Sequence, residues 1–226
     1  MDNMGWYILF EEESRMIEKV AFYLGINGET PNIALAEELC ETEDKVGVRE
    51  IAQGLSNDNQ LIAGDCIKVL YEIGSRRPQL IVDYVEEFIY LLGSPNNRLV
   101  WGAMTALSFI APLKPDEIHA SLDAVVKAYE EGSVITRDRA ISVFAYLSKE
   151  DKEYEKELFS LIITHLKACR TKEVLQHAER AFVCVNESNA QEFKGVLLDR
   201  KKHMTETQKK RTDKIIKKID SCKFAD

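Results

Sequence analysis

Apolar residues recur along the chain in octets that share one spacing. The octet AISVFAYL, residues 140–147, has apolar side chains at its first, fourth, fifth and eighth positions. Octets with the same pattern begin at Cys66, Ala103 and Ala178, so that successive copies are 37, 37 and 38 residues apart. Residues at i, i+3, i+4 and i+7 lie on one side of an α-helix, so each octet predicts an amphipathic helix.

A second set of apolar stripes accompanies the first at the same interval. These stripes begin at Val48, Val85, Leu122 and Phe159, each 37 residues after the one before. Two stripes per unit predict a hairpin of two helices, which buries apolar surface on itself and on the neighbouring hairpins. Burial of one large apolar side chain contributes about 1.5–3 kcal/mol, so a single hairpin is marginal and a stack of hairpins is stable.

Turn-forming residues separate the stripes. SNDNQ (56–60) and SPNNR (94–98) lie between units and predict residues that end one helix and cap the next. Pro78 and Pro115 each precede the first stripe residue of a second helix by seven residues. This spacing predicts a proline near the first position of each of those helices.

The ends of the chain depart from the 37-residue pattern, as the terminal units of a repeat array do. We expect a single domain over residues 1–226, with an N-terminal helical extension (1–29), the repeats (30–204) and a basic capping helix (205–226). In the last repeat the apolar stripe lies one helical turn earlier than the repeat interval predicts, at Phe193, Val196 and Leu197. In the capping helix three isoleucines are expected to face the core: Ile215, Ile216 and Ile219.

The pattern resembles the HEAT-repeat family over about residues 30–200. The shared features are antiparallel helix pairs of this length, a proline near the start of a helix, and an Ala-x-x-x-Leu core in the first helix, as at Ala103 and Leu107. The resemblance implies an all-α, right-handed α–α superhelix of about five helix pairs. An armadillo-like unit would need a third helix and a longer period.

Composition and charge narrow the class of protein further. The chain is 45% hydrophobic and 30% charged, as ordinary globular proteins are. No apolar run approaches the ~18–20 residues that span a bilayer, and the N-terminus lacks the pattern of a targeting peptide, so we expect a cytoplasmic protein. The net charge of −8 combines +6 over residues 194–226 with −14 over the remainder. An acidic body disfavours binding to a phosphate backbone, whereas the basic tail leaves that possibility open.

The sequence offers little catalytic chemistry. No phosphate-binding loop, nucleophile elbow or zinc-protease motif occurs, so we expect no catalytic residues, no metal, no cofactor and no enzymatic activity. Two minor alternatives concern a soft-metal site and a carboxylate cluster. The possible metal ligands are His165, Cys169, His177 and Cys184. The carboxylates are Glu11, Glu12 and Glu13, for which a solvated helix face is the favoured interpretation. The five cysteines are expected to be reduced thiols.

The HEAT resemblance implies that the second helices line the concave face of the superhelix. Polar residues just beside their stripes are then candidate contacts for a partner, and acids predominate among them. Such a face suits a basic or amphipathic helical segment, although a merely solvated acidic surface is an equal alternative. Trp101 is added as an aromatic candidate, with packing between repeats as its alternative role. The predicted partner-binding residues are Asp83, Glu86, Glu87, Tyr90, Asp123, Lys127, Thr164 and Trp101.

We therefore expect a non-enzymatic scaffold or adaptor that binds a protein or peptide along its concave face. The competing class is a nucleic-acid-binding HEAT protein similar to DNA alkylation-repair glycosylases, which would require a basic concave groove. The groove candidates here are acidic, so the basic residues between positions 200 and 219 are the remaining route to nucleic acid, although a role as a cap is favoured for them. A phycobilin-lyase-like enzyme is a third option that no residue selects.

Overall fold

The computed structural model describes residues 15–221, in which twelve α-helices and no strand occur. Ten of these helices form five pairs, each packed on the next. The first helices of the pairs are α1 (Thr30–Thr42), α3 (Gln60–Arg76), α5 (Asn97–Ile110), α8 (Val134–Glu150) and α10 (Val174–Ala181). The second helices are α2 (Lys45–Gln53), α4 (Val85–Leu91), α7 (Leu122–Glu131), α9 (Lys152–Ala168) and α11 (Ala190–Lys201). A short α6 (Pro115–His119) precedes α7, and α12 (Glu206–Ser221) follows α11.

This arrangement is the all-α, right-handed superhelix of five helix pairs that the periodicity and the resemblance predict. Five short 3-10 turns occur between or beside these helices: Met16–Lys19, Gly54–Ser56, Pro78–Leu80, Val82–Tyr84 and Phe182–Cys184. None of the helices between residues 15 and 221 is both long enough and apolar enough to cross a bilayer.

The predicted stripes form the core. The stripe residues of the octets that begin at Cys66, Ala103 and Ala140 are all fully buried. The shifted frame of the last repeat is also confirmed, because Phe193, Val196 and Leu197 are buried. In α12 all three isoleucines are buried, so one face of this charged helix closes the end of the core. The spacing of apolar residues therefore places the core correctly from the first repeat to the last helix.

The predicted role of two prolines is wrong in detail. Pro78 begins the 3-10 turn that precedes α4, and Pro115 begins the separate helix α6. The second helices proper start later, at Val85 and Leu122. The residue before each proline has a non-helical backbone, as steric contact with the proline ring requires. The third pair thereby gains the short extra helix that an armadillo-like unit would have.

The polar segments between units cap helices as predicted. The side-chain oxygen of Asn59 accepts a hydrogen bond from the backbone N–H of Leu61 at the start of α3, at 3.0 Å. Asn96 does the same for Arg98 at the start of α5, also at 3.0 Å. Each bond satisfies an N–H group that the helix leaves without an internal partner, which typically contributes about 1 kcal/mol.

Only the second half of the predicted N-terminal extension lies within the described residues. From residue 15 it consists of a single 3-10 turn, Met16–Lys19, followed by irregular turns. Buried Asp65 of α3 accepts a hydrogen bond from the backbone N–H of Phe22 at 2.8 Å. Residues 1–14, with the three consecutive glutamates of the carboxylate alternative, lie outside the described range, and the extension as a whole stays a prediction.

Two glycines provide a test of the helix packing. A Cβ at Gly102 in α5 would lie 2.6 Å from Cγ1 of Ile67, a fully buried side chain of α3. We expect Gly102→Ala to lower the free energy of unfolding by about 1–3 kcal/mol, because overpacking outweighs the gain in helix propensity. The matched Gly195→Ala in α11, where a Cβ meets nothing within 4 Å, should raise it by about 0.5–1 kcal/mol. Urea unfolding measures both, and stabilisation by both substitutions would contradict the close approach of α3 and α5.

Candidate functional site

The main candidate site is a groove between α2 and α4, the second helices of the first two pairs. The groove has a volume of about 740 Å³. Its floor contains three buried apolar side chains: Ala52, Leu55 and Leu91. Its polar lining is Arg49, Gln53, Ser56, Tyr84, Glu86, Glu87 and Tyr90.

Three of the predicted contact residues lie together on α4. Tyr90 is 84% exposed, the largest exposed fraction among the exposed large apolar and aromatic residues of the described chain. Glu86 and Glu87 lie in the first turn of α4 and are exposed, as the N-terminal end of a helix favours for acids. The helix turns these three outward because Val85 and Phe88 beside them are buried in the core.

The groove also contains a residue that the sequence does not single out. Tyr84 is half-buried beside the core and lines the groove next to Arg49. Burial raises the pKa of the Tyr84 hydroxyl, and the nearby Arg49 acts in the opposite direction. Tyr84 lies one residue before the stripe of α4, a position where an aromatic side chain can border both core and surface. The groove thus presents two tyrosine rings beside two carboxylates.

Further depressions follow the second helices along the chain. Lys127 of α7 lines a cavity of 300 Å³ between α7 and the loop that follows α4. Thr164 of α9 lines a cavity of 540 Å³ between α7, α9 and α10. Asp83 and Asp123 are exposed immediately before α4 and at the start of α7. The predicted contact residues on second helices therefore lie at or beside a series of depressions, with the largest of these three at Glu86, Glu87 and Tyr90.

Trp101 has a different environment. It is half-buried on α5, and its ring packs against Tyr71 of α3 with ring centroids 5.6 Å apart. The contact joins two adjacent first helices, which agrees with the alternative role of packing between repeats. Trp101 therefore lies outside the groove.

The two histidines and one cysteine of the metal alternative lie together. A nitrogen from each of His165 and His177 and the sulfur of Cys169 all lie within 4.8 Å of one another, beside the 540 Å³ cavity. Cys184 is elsewhere, and its thiol donates to the carbonyl oxygen of Ala181 at 3.1 Å. Burial, together with the neighbouring His177, lowers the pKa of His165 to about 4. Cys184 packs in the core, and its buried thiol has a pKa raised to about 12.

Several basic residues of the tail make contacts with other helices of the protein. Ion pairs join Lys194 to Asp220, Lys201 to Asp213, and Arg211 of α12 to Glu179 of α10. The ammonium of Lys218 lies 4.2 Å from the centre of the Phe182 ring. These contacts connect α12 to α10, α11 and the turn between them, so part of the positive charge of the tail is paired where the last helix packs.

The fold defines the class of protein. Within the described residues, the chain has the HEAT/armadillo-like helical-repeat fold, as the comparisons with solved structures also show. No protein-family model matches the sequence, and a search of curated proteins finds no match.

Two solved structures of repeat proteins are similar to this chain. One is the designed armadillo repeat protein YIII(Dq.V1)4CPAF in complex with the peptide (KR)4, with a TM-score of 0.62 and 14% identity over 81% of this chain and 85% of that one. Another is the karyopherin Kap121p, in a structure bound to Pho4p, with a TM-score of 0.60 and 13% identity. That match covers 88% of this chain but 22% of Kap121p. At these identities the likeness concerns the fold alone.

Proposed function

We propose that this protein is a non-enzymatic scaffold that binds a basic peptide segment of a partner protein along the face of its second helices. The observation that carries the proposal is the groove between α2 and α4, in which Tyr90 is exposed beside Glu86 and Glu87 over an apolar floor. An exposed aromatic ring at a depression is typical of an interface residue with a large energetic contribution.

The chemistry of the groove favours lysine and arginine side chains. Carboxylates accept charge-assisted hydrogen bonds from both, and a tyrosine ring attracts their cations. The apolar floor offers contact area for the aliphatic stems of the same side chains. An extended basic peptide would direct alternate side chains into the groove. Their charged ends would contact the carboxylates and tyrosine rings, and their aliphatic stems would contact the apolar floor.

The series of depressions along the second helices supports an elongated ligand rather than a small one. Cavities recur at α4, α7 and α9, at successive units of the superhelix. A peptide that follows the second helices would contact several units, so that modest contributions from each repeat add together. The designed armadillo protein of similar fold has a peptide of alternating lysine and arginine as its ligand.

A synthetic (KR)4 peptide with a fluorescent label tests the proposal. We expect saturable 1:1 binding to the wild-type protein by fluorescence anisotropy, whereas an uncharged (Gly-Ser)4 peptide should not bind. Affinity should fall between about 50 and 200 mM salt without disappearing, because apolar and cation–π contacts are less sensitive to screening than ion pairs.

Duplex DNA provides the opposing outcome in the same assay. The acidic second-helix face disfavours DNA, and several basic residues of the tail are paired with acids of the protein, so we expect no binding at either salt concentration. Tighter binding of duplex DNA than of (KR)4, with a steep dependence on salt, would contradict the scaffold proposal. It would favour the nucleic-acid-binding class instead.

A further inference from the structure

The cluster of His165, Cys169 and His177 has the composition and arrangement of a transition-metal site. His165 lies on the last turns of α9, Cys169 follows one turn later at the end of that helix, and His177 lies on α10. Both histidines are buried, with 8% and 3% exposure, and Cys169 is half-buried. Imidazole nitrogen and thiolate sulfur are the donors that zinc prefers, whereas magnesium and calcium prefer oxygen.

The outer nitrogen of each histidine has a hydrogen-bonding partner. Nε2 of His177 lies 3.0 Å from Oδ1 of Asp138 on α8. Nδ1 of His165 lies 2.8 Å from the hydroxyl of Tyr129 on α7. Histidine ligands of metals commonly donate their second ring N–H to a carboxylate or another oxygen, which fixes the ring and its tautomer. The four residues come from four different helices, α7 to α10.

With one nitrogen of each ring bound to Asp138 or Tyr129, the other two ring nitrogens face each other. Nε2 of His165 and Nδ1 of His177 are 2.7 Å apart. Ionised Asp138 can only accept, so His177 donates through Nε2 and its Nδ1 presents a lone pair. If His165 likewise donates to the Tyr129 oxygen, its Nε2 also presents a lone pair, and a positive charge must lie between the two nitrogens.

The Tyr129 hydroxyl allows two states of the pair. When it donates to Nδ1 of His165, the proton of that ring lies on Nε2 and bridges to His177. When it accepts instead, Nε2 is free to bind a cation. Metal entry therefore requires three changes. The Nε2 proton of His165 moves to Nδ1 by exchange with solvent, and the Tyr129 hydroxyl turns so that its oxygen accepts. The rings also move apart to about 3.3 Å, as two Zn–N bonds of about 2.0–2.1 Å require.

We infer that His165, Cys169 and His177 bind a zinc ion, with Asp138 and Tyr129 orienting the two histidine ligands. Cys169 binds as thiolate and releases its proton to solvent when the ion enters. The adjoining 540 Å³ cavity gives the ion a route from solvent and leaves room for a water molecule as fourth ligand. The ion would join the fourth and fifth helix pairs, because its ligands lie on α9 and α10. This site does not depend on the groove between α2 and α4.

Metal titration of the full-length protein, stripped of metal with a chelator, tests the inference. We expect one zinc ion to bind per chain by isothermal titration calorimetry and to raise the melting temperature. Cobalt(II) in place of zinc should produce a thiolate-to-cobalt charge-transfer band and the intense d–d absorption of a tetrahedral site. Absence of both binding and the charge-transfer band in the wild-type protein would overturn the inference.

Three variants assign the site. Cys169→Ser should abolish the charge-transfer band and weaken zinc binding at least 10-fold. Asp138→Asn should weaken binding by about 10–100-fold while keeping the band, as expected for a residue that acts through a ligand. Cys184→Ser, the matched control for loss of one thiol, should keep both the band and the wild-type affinity. Circular dichroism establishes that each variant is folded. Wild-type affinity and an unchanged band in Cys169→Ser would place any metal elsewhere and overturn the inference.

Discussion

Replacing Phe144 by alanine is expected to lower the free energy of unfolding by about 3–5 kcal/mol. Phe144 is fully buried on α8, and its ring packs edge-on against Tyr129 of α7 at 5.4 Å between centroids. Helix α8 contacts the helices before and after it on both sides, including α5, α7, α9 and α10. The substitution removes transfer free energy and leaves a cavity where the third and fourth pairs meet, so both costs add.

Equilibrium unfolding in urea, followed by circular dichroism, measures this loss. Tyr90→Ala is the matched control, because it also removes an aromatic ring from a helix but at a position that is 84% exposed. Its effect should stay within about 0.5 kcal/mol. A loss of less than about 1 kcal/mol for Phe144→Ala would be inconsistent with a continuous core through α8.

The second large effect concerns the groove. Substituting Glu86→Lys, Glu87→Lys and Tyr90→Ala together is expected to weaken binding of (KR)4 at least 30-fold, which corresponds to about 2 kcal/mol. Each reversed carboxylate exchanges an attraction of about 0.2–1 kcal/mol for a repulsion of similar size. Removal of Tyr90 eliminates its cation–π contact and its contact area. All three side chains are exposed, so the fold should be unaffected.

The periodicity of the sequence predicts most of the fold because each unit buries the same two apolar stripes against itself and its neighbours. The stripes at Cys66, Ala103 and Ala140 are fully buried, and the Asn caps at 59 and 96 occupy their predicted positions. The prediction from Pro78 and Pro115 is wrong in detail because a proline is equally compatible with the first turn of a helix, a 3-10 turn or a short separate helix. Only the packing of the whole unit decides among these.

The groove was partly predictable and the histidine cluster less so. Glu86, Glu87 and Tyr90 follow from their positions beside a stripe, but the depth of the groove depends on how α2 and α4 pack. Tyr129 and His165 are 36 residues apart, close to the repeat interval, and therefore lie side by side on adjacent units. Such intervals predict neighbours between repeats. They do not predict which ring nitrogen faces which partner, because that depends on side-chain rotamers.

One parallel titration tests the central claim most directly. Labelled (KR)4 is titrated against the wild-type protein, the triple variant at Glu86, Glu87 and Tyr90, and a control with Glu41→Lys and Glu150→Lys. The control makes the same change in net charge at exposed positions of the first helices α1 and α8. A loss of at least 30-fold in the triple variant, with less than about 3-fold in the control, is the predicted result. Equal losses in both variants would mean that (KR)4 senses only the net charge of the protein, and would contradict a binding site between α2 and α4.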